Sequence, residues 1–409
     1  MRMAMFFTFF NISPFLYGQD NEVLLYFSNQ TGSYQLYKTD ANGNHHLQLI
    51  DEPTYNYWWV YTNPQHTKLI TYRSDKTTGV DQTDYENAEL WLHDIDGSNP
   101  VLLIDTDTYN WKAHGVAKFS PDGKKILMAA IPSPPLPDWW FGFITDHNGQ
   151  NLQQISDWWM LDPAWSPDGS KIVFCGFPKN IPDFDLTKLE LFIADFDHNT
   201  NTIKDPEQIT WGTGRVHDPC FSHQGSRIAF SDGNQSYSRA DIRIVDTNGA
   251  NLTTVFGDNG ANGGSIFWSL DDSEIWFHNL TLSVNNFQIR KVNVESGSMT
   301  SILQDINHNY ISAHMYYNNV SSTIGDRYKT GLSIFPNPFS NLTTINSDVT
   351  LRNATLTLYN IYGQMVKQIL NISGQTVELH RRNISNGLYL ILLTDGSMVF
   401  SIDKILITD

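Results

Sequence analysis

The sequence predicts an all-β chain, a six-bladed β-propeller followed by a small immunoglobulin-like β-sandwich. Three observations predict it. A turn-centred segment returns about every fifty residues, and a fixed period of that length marks stacked supersecondary units. Short apolar strands and tight turns fill the intervals, without helical periodicity. The chain after Thr330 then changes in charge and pattern, which marks a second domain.

The elements follow in chain order. Met1-Arg2 precedes an apolar run through Phe6, Phe7, Phe9, Phe10, Phe15 and Leu16 that ends near Gly18. One positive charge, a short apolar core and a small final residue describe a secretory signal over 1–18. Asn11, Ser13 and Pro14 interrupt the run, and the alternative is a buried first strand.

The propeller is expected over 19–322. Its repeat reads Phe119-Ser120-Pro121-Asp122-Gly123 and Trp165-Ser166-Pro167-Asp168-Gly169, then in worn form Phe221-Ser222-His223-Gln224-Gly225 and Trp268-Ser269-Leu270-Asp271-Asp272. Tyr61 and Tyr317 hold the same place in two further units. Proline fixes φ at the first central position of the turn, Asp bonds its own backbone, and Gly takes the position with φ > 0. A second strand follows each turn (Ile126-Leu127-Met128, Ile172-Val173-Phe174, Ile228-Ala229-Phe230, Ile275-Trp276-Phe277). After a variable loop comes a third strand, and turns such as Asp96-Gly97, Asn148-Gly149 and Asn248-Gly249 lead to a fourth. Four antiparallel strands per unit and six units make a propeller, which leaves few open sheet edges. The strands at Val23–Phe27 and Gln35–Tyr37 read as the second and third of a blade. Its inner strand is expected from Tyr310–Tyr317, so both chain ends close the ring. Residues 22 to 319 resemble the TolB-type propeller repeat, whose hallmark is aromatic-Ser-Pro-Asp-Gly-x-x-Ile. The resemblance implies a fold and leaves the activity open.

A linker is expected over 323–330 and a β-sandwich of about seven short strands over 331–409, from period-two alternation. Phe335-Pro336-Asn337-Pro338, Tyr359-Asn360-Ile361-Tyr362-Gly363, Gly387-Leu388-Tyr389 and the closing Lys404 stand in order. They resemble the type A C-terminal sorting domain of the type IX secretion system of Bacteroidetes-type bacteria. That resemblance implies export across the inner membrane by the signal segment. It implies passage across the outer membrane by recognition of residues 331–409, so the secretion machinery is one expected partner. The destination is then the medium or the outer-membrane surface.

Composition restricts the rest. The net charge is −17, which speaks against nucleic acid and anionic membranes as partners. From Gly331 onward acidic and basic residues are equal in number, so the propeller part carries the excess. No later run is long and apolar enough to span a bilayer. Cys175 and Cys220 are the two cysteines; free buried thiols are expected, with a bridge as the alternative.

Function is expected where the loops vary. Second-to-third-strand loops and between-blade connections emerge on one face of a propeller, and here they are long and varied. Eight of the 12 tryptophans fall in or beside them: Trp58, Trp59, Trp111, Trp139, Trp140, Trp158, Trp159 and Trp211. Indole platforms suit sugar rings or cationic groups; the alternative is that these rings fill the spaces between blades. His114, His217 and His314 lie near inner-strand starts, at different offsets from the marker aromatics, so a shared metal site is not expected. The loop-face acids Asp75, Asp81, Asp84, Glu86, Asp138, Asp183 and Asp185 offer oxygen for calcium, but without a calcium-loop motif. No cofactor is expected. No Gly-x-Ser-x-Gly elbow, phosphate loop or His-Glu-x-x-His is present, so no catalytic residue is assigned. The expected function is a secreted or cell-surface binding module holding a glycan or a protein. The alternatives are a secreted polysaccharide lyase or hydrolase and a periplasmic TolB-like scaffold.

Overall fold

The computed structural model describes residues 22–76, 84–133, 139–177, 188–233, 240–257, 261–262, 264–281, 286–317, 332–360, 365–395 and 398–409. The signal segment 1–18, the linker 323–330, Tyr362, Gly363, Asp81, Asp138, Asp183 and Asp185 lie outside the described residues. Contacts divide the described chain into a propeller unit within 20–318 and a tail unit within 319–409.

The propeller unit begins with β1 (Glu22–Ser28), β2 (Gln35–Asp40) and β3 (Leu47–Gln48). A blade follows from β4 (Tyr55–Thr62), β5 (Lys68–Asp75), β6 (Glu89–Asp94) and β7 (Val101–Asp105). The next comprises β8 (Trp111–Phe119), β9 (Lys125–Pro132), β10 (Phe141–Asp146) and β11 (Gln153–Gln154). Then come β12 (Leu161–Trp165), β13 (Lys171–Gly176), β14 (Glu190–Asp197) and β15 (Thr202–Gln208). The fifth sheet holds β16 (Arg215–Phe221), β17 (Arg227–Gly233), β18 (Ala240–Asp246) and β19 (Thr253–Gly257). In the sixth, β20 (Ala261–Asn262) and β21 (Phe267–Trp268) share the inner place beside β22 (Glu274–Thr281), β23 (Asn286–Asn293) and β24 (Met299–Leu303). The last strand, β25 (Tyr310–Tyr317), pairs antiparallel with β1, His314 opposite Leu25 and Met315 opposite Leu24. The six sheets and the closure across both chain ends agree with the sequence expectation.

Composition places each strand in its blade. Middle strands are covered on both sides by neighbouring blades and so read as unbroken apolar runs. Ile172, Val173, Phe174 and Cys175 of β13 are all fully buried. Outer strands face solvent on one side, and β15 reads Thr-Ile-Lys-Asp-Pro-Glu-Gln accordingly. Proline and charge there keep the rim edge from pairing with other chains.

The recurring turn is held by its own side chains. Ser120 Oγ–H donates to Asp122 (2.7 Å), the Lys125 amide donates to Ser120 Oγ (3.0 Å), and Gly123 turns at φ 73°. Ser166, Asp168 and Lys171 repeat the pattern. At Ser222-His223-Gln224-Gly225 the aspartate is missing, and the next blade supports the turn through other groups. Asp272, at the glycine position of its own turn (φ 59°), accepts from the amides of His223 (2.8 Å) and Gln224 (3.1 Å). It also bonds His223 Nδ1 at 2.9 Å.

The tail unit is one five-stranded sheet of β26 (Leu332–Phe335), β27 (Leu342–Asn360), β28 (Met365–His380), β29 (Gly387–Asp395) and β30 (Met398–Ile407). It curls nearly closed over Ile345, Leu356, Leu358, Ile391, Ile405 and Ile407. About seven short strands were expected; β27 and β28 instead run long, with register shifts that let the ladder bend without breaking.

Candidate functional site

Each inner strand carries an irregularity at the same level. The pairing register slips by one residue at Trp58/Val60, Gly115/Lys118, Leu161/Ala164 and His217/Cys220, and in β25 between Ile311 and His314. Trp59, Val116, Asp162, Asp218 and Ser312 adopt positive φ there, and Ser265 does so between β20 and β21, all between 50° and 62°. Left-handed backbone on six side-chain-bearing residues is costly, and such strain gathers at binding and catalytic centres. Two residues further on stand Tyr61, Lys118, Ala164, Cys220, Phe267 and His314.

These levels bring together a polar cluster. His217 Nδ1 lies 3.0 Å from Asp162 Oδ2, and the Asp218 amide donates to the same oxygen at 3.1 Å. Arg215 Nε–H donates to His217 Nε2 (3.1 Å), so the imidazole proton sits on Nδ1 and points at Asp162. Burial opposes ionisation of Asp162, but His217, the Asp218 amide and Lys118 outweigh it and hold the carboxyl low. Burial and the charge of Asp162 push Asp218 up to about 7. Two neighbouring carboxylates thus prefer opposite protonation states near neutrality. Beside them, Trp59, Tyr61 and Phe267 wall a narrow recess that Lys118, Asp218 and His314 also line. It leaves no room for a water molecule.

The three histidines go to separate partners. His114 is fully buried and its Nε2–H donates to Ala88 O (2.8 Å); burial lowers its pKa to about 4. His314 bonds Thr62 Oγ1 (3.1 Å), and burial lowers it to about 3. His217 faces Asp162. Among the described residues no group of three His, Cys, Asp or Glu side chains is placed to hold a metal ion. Asp84 accepts from the amides of Glu86 and Asn87. Cys175 and Cys220 are free thiols.

The tryptophans divide. Trp58, 1% exposed, stacks on Tyr72, and Trp59 Nε1–H donates to Ala117 O at 3.3 Å. Trp111 packs on Phe143 and Trp159 on Phe177, both pairs 4.8 Å between ring centres. All four are buried in the propeller core, and Trp59 reaches across to the next blade. Trp139, Trp140 and Trp158 are half-buried, and Trp211 is 63% exposed. The Met160 amide donates to Trp140 O (2.8 Å), tying a second-to-third-strand loop to a between-blade connection.

Sequence reasoning named His217 and His314 but missed Asp162, Asp218, Lys118 and Tyr61. One signal was present: Asp162-Pro163 and Asp218-Pro219 each stand three residues before a marker aromatic.

In the tail unit the motif residues meet at the last strand. Asn337 Nδ2–H donates to Lys404 O, and the Leu406 amide donates to Asn337 Oδ1, both 2.9 Å. Pro336 O accepts from Thr343 Oγ1, and the Phe339 amide donates to Leu406 O, so the segment through Pro338 lies beside β30. Phe335 is 78% exposed. Gly387, at φ 151°, opens β29, and Tyr389 Oη–H donates to Ser385 O (2.8 Å).

Fold and tail define a class, the β-propeller exported by a sorting domain. Residues 333–408 match the family of the secretion system C-terminal sorting domain. The chain therefore carries a type IX sorting tail, which points to secretion toward the cell surface or extracellular space. No described helix is long and apolar enough to cross a membrane. The propeller is similar in fold to TolB from Acinetobacter baumannii, with TM-score 0.57 and 13% identity over 73% of this chain and 67% of that one. A putative TolB from Agrobacterium tumefaciens gives 0.50 and 14%, covering 73% and 99%. A chain of a nidogen/laminin complex gives 0.52 and 8%, covering 72% and 98%. No curated protein matches the sequence.

Proposed function

We propose that the propeller is the ligand-binding part of this exported protein, and that its loop-bearing face holds a glycan or a protein. The observation that carries this reading is the placement of Trp139, Trp140, Trp158 and Trp211. All four lie in second-to-third-strand or between-blade segments, and none is fully buried. Trp139, Trp140 and Trp158 rest partly on the core and Trp211 is 63% exposed, and indole surface that remains accessible stacks well on sugar C–H faces and on aromatic or cationic protein side chains. Trp58, Trp59, Trp111 and Trp159 then serve as the foundation, because they are buried in the core.

A glycan array probed with the full chain, with tryptophan quenching for each hit, tests the reading. Trp140→Ala and Trp211→Ala should each weaken binding about tenfold or more, on the scale of one stacked aromatic. Unchanged affinity in both variants would remove the loop face as the site. A second reading, a carbohydrate-active enzyme, is favoured by the clustering of Asp162, His217 and Asp218, where burial and Asp162 push the Asp218 carboxyl up. Product formation followed on the same hits decides between them.

A further inference from the structure

The tail unit carries an apolar surface outside its core. β29 includes Leu388-Tyr389-Leu390-Ile391-Leu392-Leu393, six apolar residues in a row. Tyr389, Ile391 and Leu393 belong to the tail core, so Leu388, Leu390 and Leu392 stand on the outer side. An antiparallel strand with one wet face normally alternates apolar with polar residues, and an unbroken apolar run belongs to a strand covered on both faces. The register carries this outer surface across four strands. Leu388 lies opposite Leu406 of β30, and Lys404, Leu390, Tyr359 and Met365 form a row over β30, β29, β27 and β28. Leu388, Leu406 and Met365 are 46%, 38% and 61% exposed. The described strands of the tail all belong to one sheet, so among the described residues no second sheet of the tail lies over this row. Beyond Leu392 the same face turns polar, where Gln368 Nε2–H donates to Thr357 Oγ1 (3.2 Å).

We propose that this leucine face is the surface by which the secretion machinery holds the tail, and that the machinery meets it with an apolar surface of its own. Contiguous exposed apolar residues rimmed by polar ones mark contact sites. The family match over 333–408 gives the partner, and the register gives the place. Two other means of recognition are weaker here. Acidic and basic residues are equal in number from Gly331 onward, so the tail has no net charge to steer a partner. An added strand along β30 is blocked beside Lys404 and Leu406. Asn337 Nδ2–H already donates to Lys404 O there, and its Oδ1 accepts from the Leu406 amide. Lys404 borders the row opposite Leu390, where the stem of a lysine extends an apolar surface and its charge ends it. The site is independent of what the propeller binds, and either stands if the other fails.

The test is export of the full chain from its own host, read by fractionating cells and medium with an antibody to the propeller. Leu388→Thr combined with Leu406→Thr removes the apolar contact but keeps side chains that suit a strand. The exported fraction should fall about tenfold or more, the scale of two leucines no longer buried in a complex. Leu388→Ile with Leu406→Ile stays apolar and should export like the natural chain. So should Glu378→Thr, on the same outer face but at the far end of β28, opposite Thr344. Limited proteolysis of each purified full chain checks that the tail is intact. Should the threonine pair loosen the tail, Met365→Thr, at the other end of the row, takes its place, with a severalfold loss expected. Undiminished export with an intact tail overturns the proposal, and so does an equal loss in the isoleucine pair. A purified full chain that is a dimer, and that the threonine pair turns into a monomer, assigns the face to a second copy and also overturns it.

Discussion

The surroundings of Asp218 work against its charge. Its carboxyl is pushed up to about 7 by burial and by Asp162, so the folded protein holds a proton that the unfolded chain releases near pH 4. Stability from this group is greatest at low pH and is lost as pH rises from about 4 through 7. Asp218→Asn should therefore raise the unfolding free energy at pH 8 by on the order of 1 to 3 kcal/mol. The gain should vanish at pH 4, as denaturant melts at the two pH values would read. His114 has the opposite sign. Burial lowers it to about 4, so its contribution is present above the unfolded value near 6.5 and fades as pH falls from there toward 4. At this scale the sequence was least informative. Adjacent Trp58 and Trp59 look alike in a string of letters, yet both are buried in the core, because the slip at Trp58/Val60 resets which side chains face the neighbour. The same slip, repeated, hid Asp162, Asp218 and Lys118, whose offsets from the marker aromatics give no common depth until the extra residue is counted.

Among the elements, the Ser-Pro-Asp-Gly turn was legible because each of its residues has one job, and the structure assigns those jobs to Ser120, Asp122 and Gly123. The worn copy at Ser222 was read as a weaker version of the same turn. It is in fact supported from outside, since Asp272 of the adjoining blade accepts the amides of His223, which stands where the intact copies have proline, and of Gln224. Asp272→Ala should cost about 2 kcal/mol, because two backbone donors and His223 lose their acceptor together. Asp272→Asn, which keeps one carbonyl oxygen, should cost less; urea unfolding of both variants checks the order. Tail strands were harder to count. Turn residues such as Asn353 and Asn371, both near φ 58°, look like strand ends in sequence but only bend β27 and β28.

At the scale of the whole molecule, the six-unit ring and its closure followed from period and order alone, because Tyr310–Tyr317 was the one strand left for the place beside Val23–Phe27. The two units have separate cores. A chain ending at Asn318 should thus keep the propeller's thermal transition within about 2 °C of the full chain. Expressed in its own host, that shortened chain should stay inside the cell envelope, since the sorting domain over 333–408 is gone. Culture fractionation with an antibody to the propeller would show whether it does.

The pairing of β25 with β1 has a consequence for biogenesis. β1 has no inner neighbour until the chain extends as far as Tyr317. A chain that stops short of Tyr310 therefore leaves the ring ajar, with one blade short of a strand. Arrival of the final strand and locking of the circle are a single event.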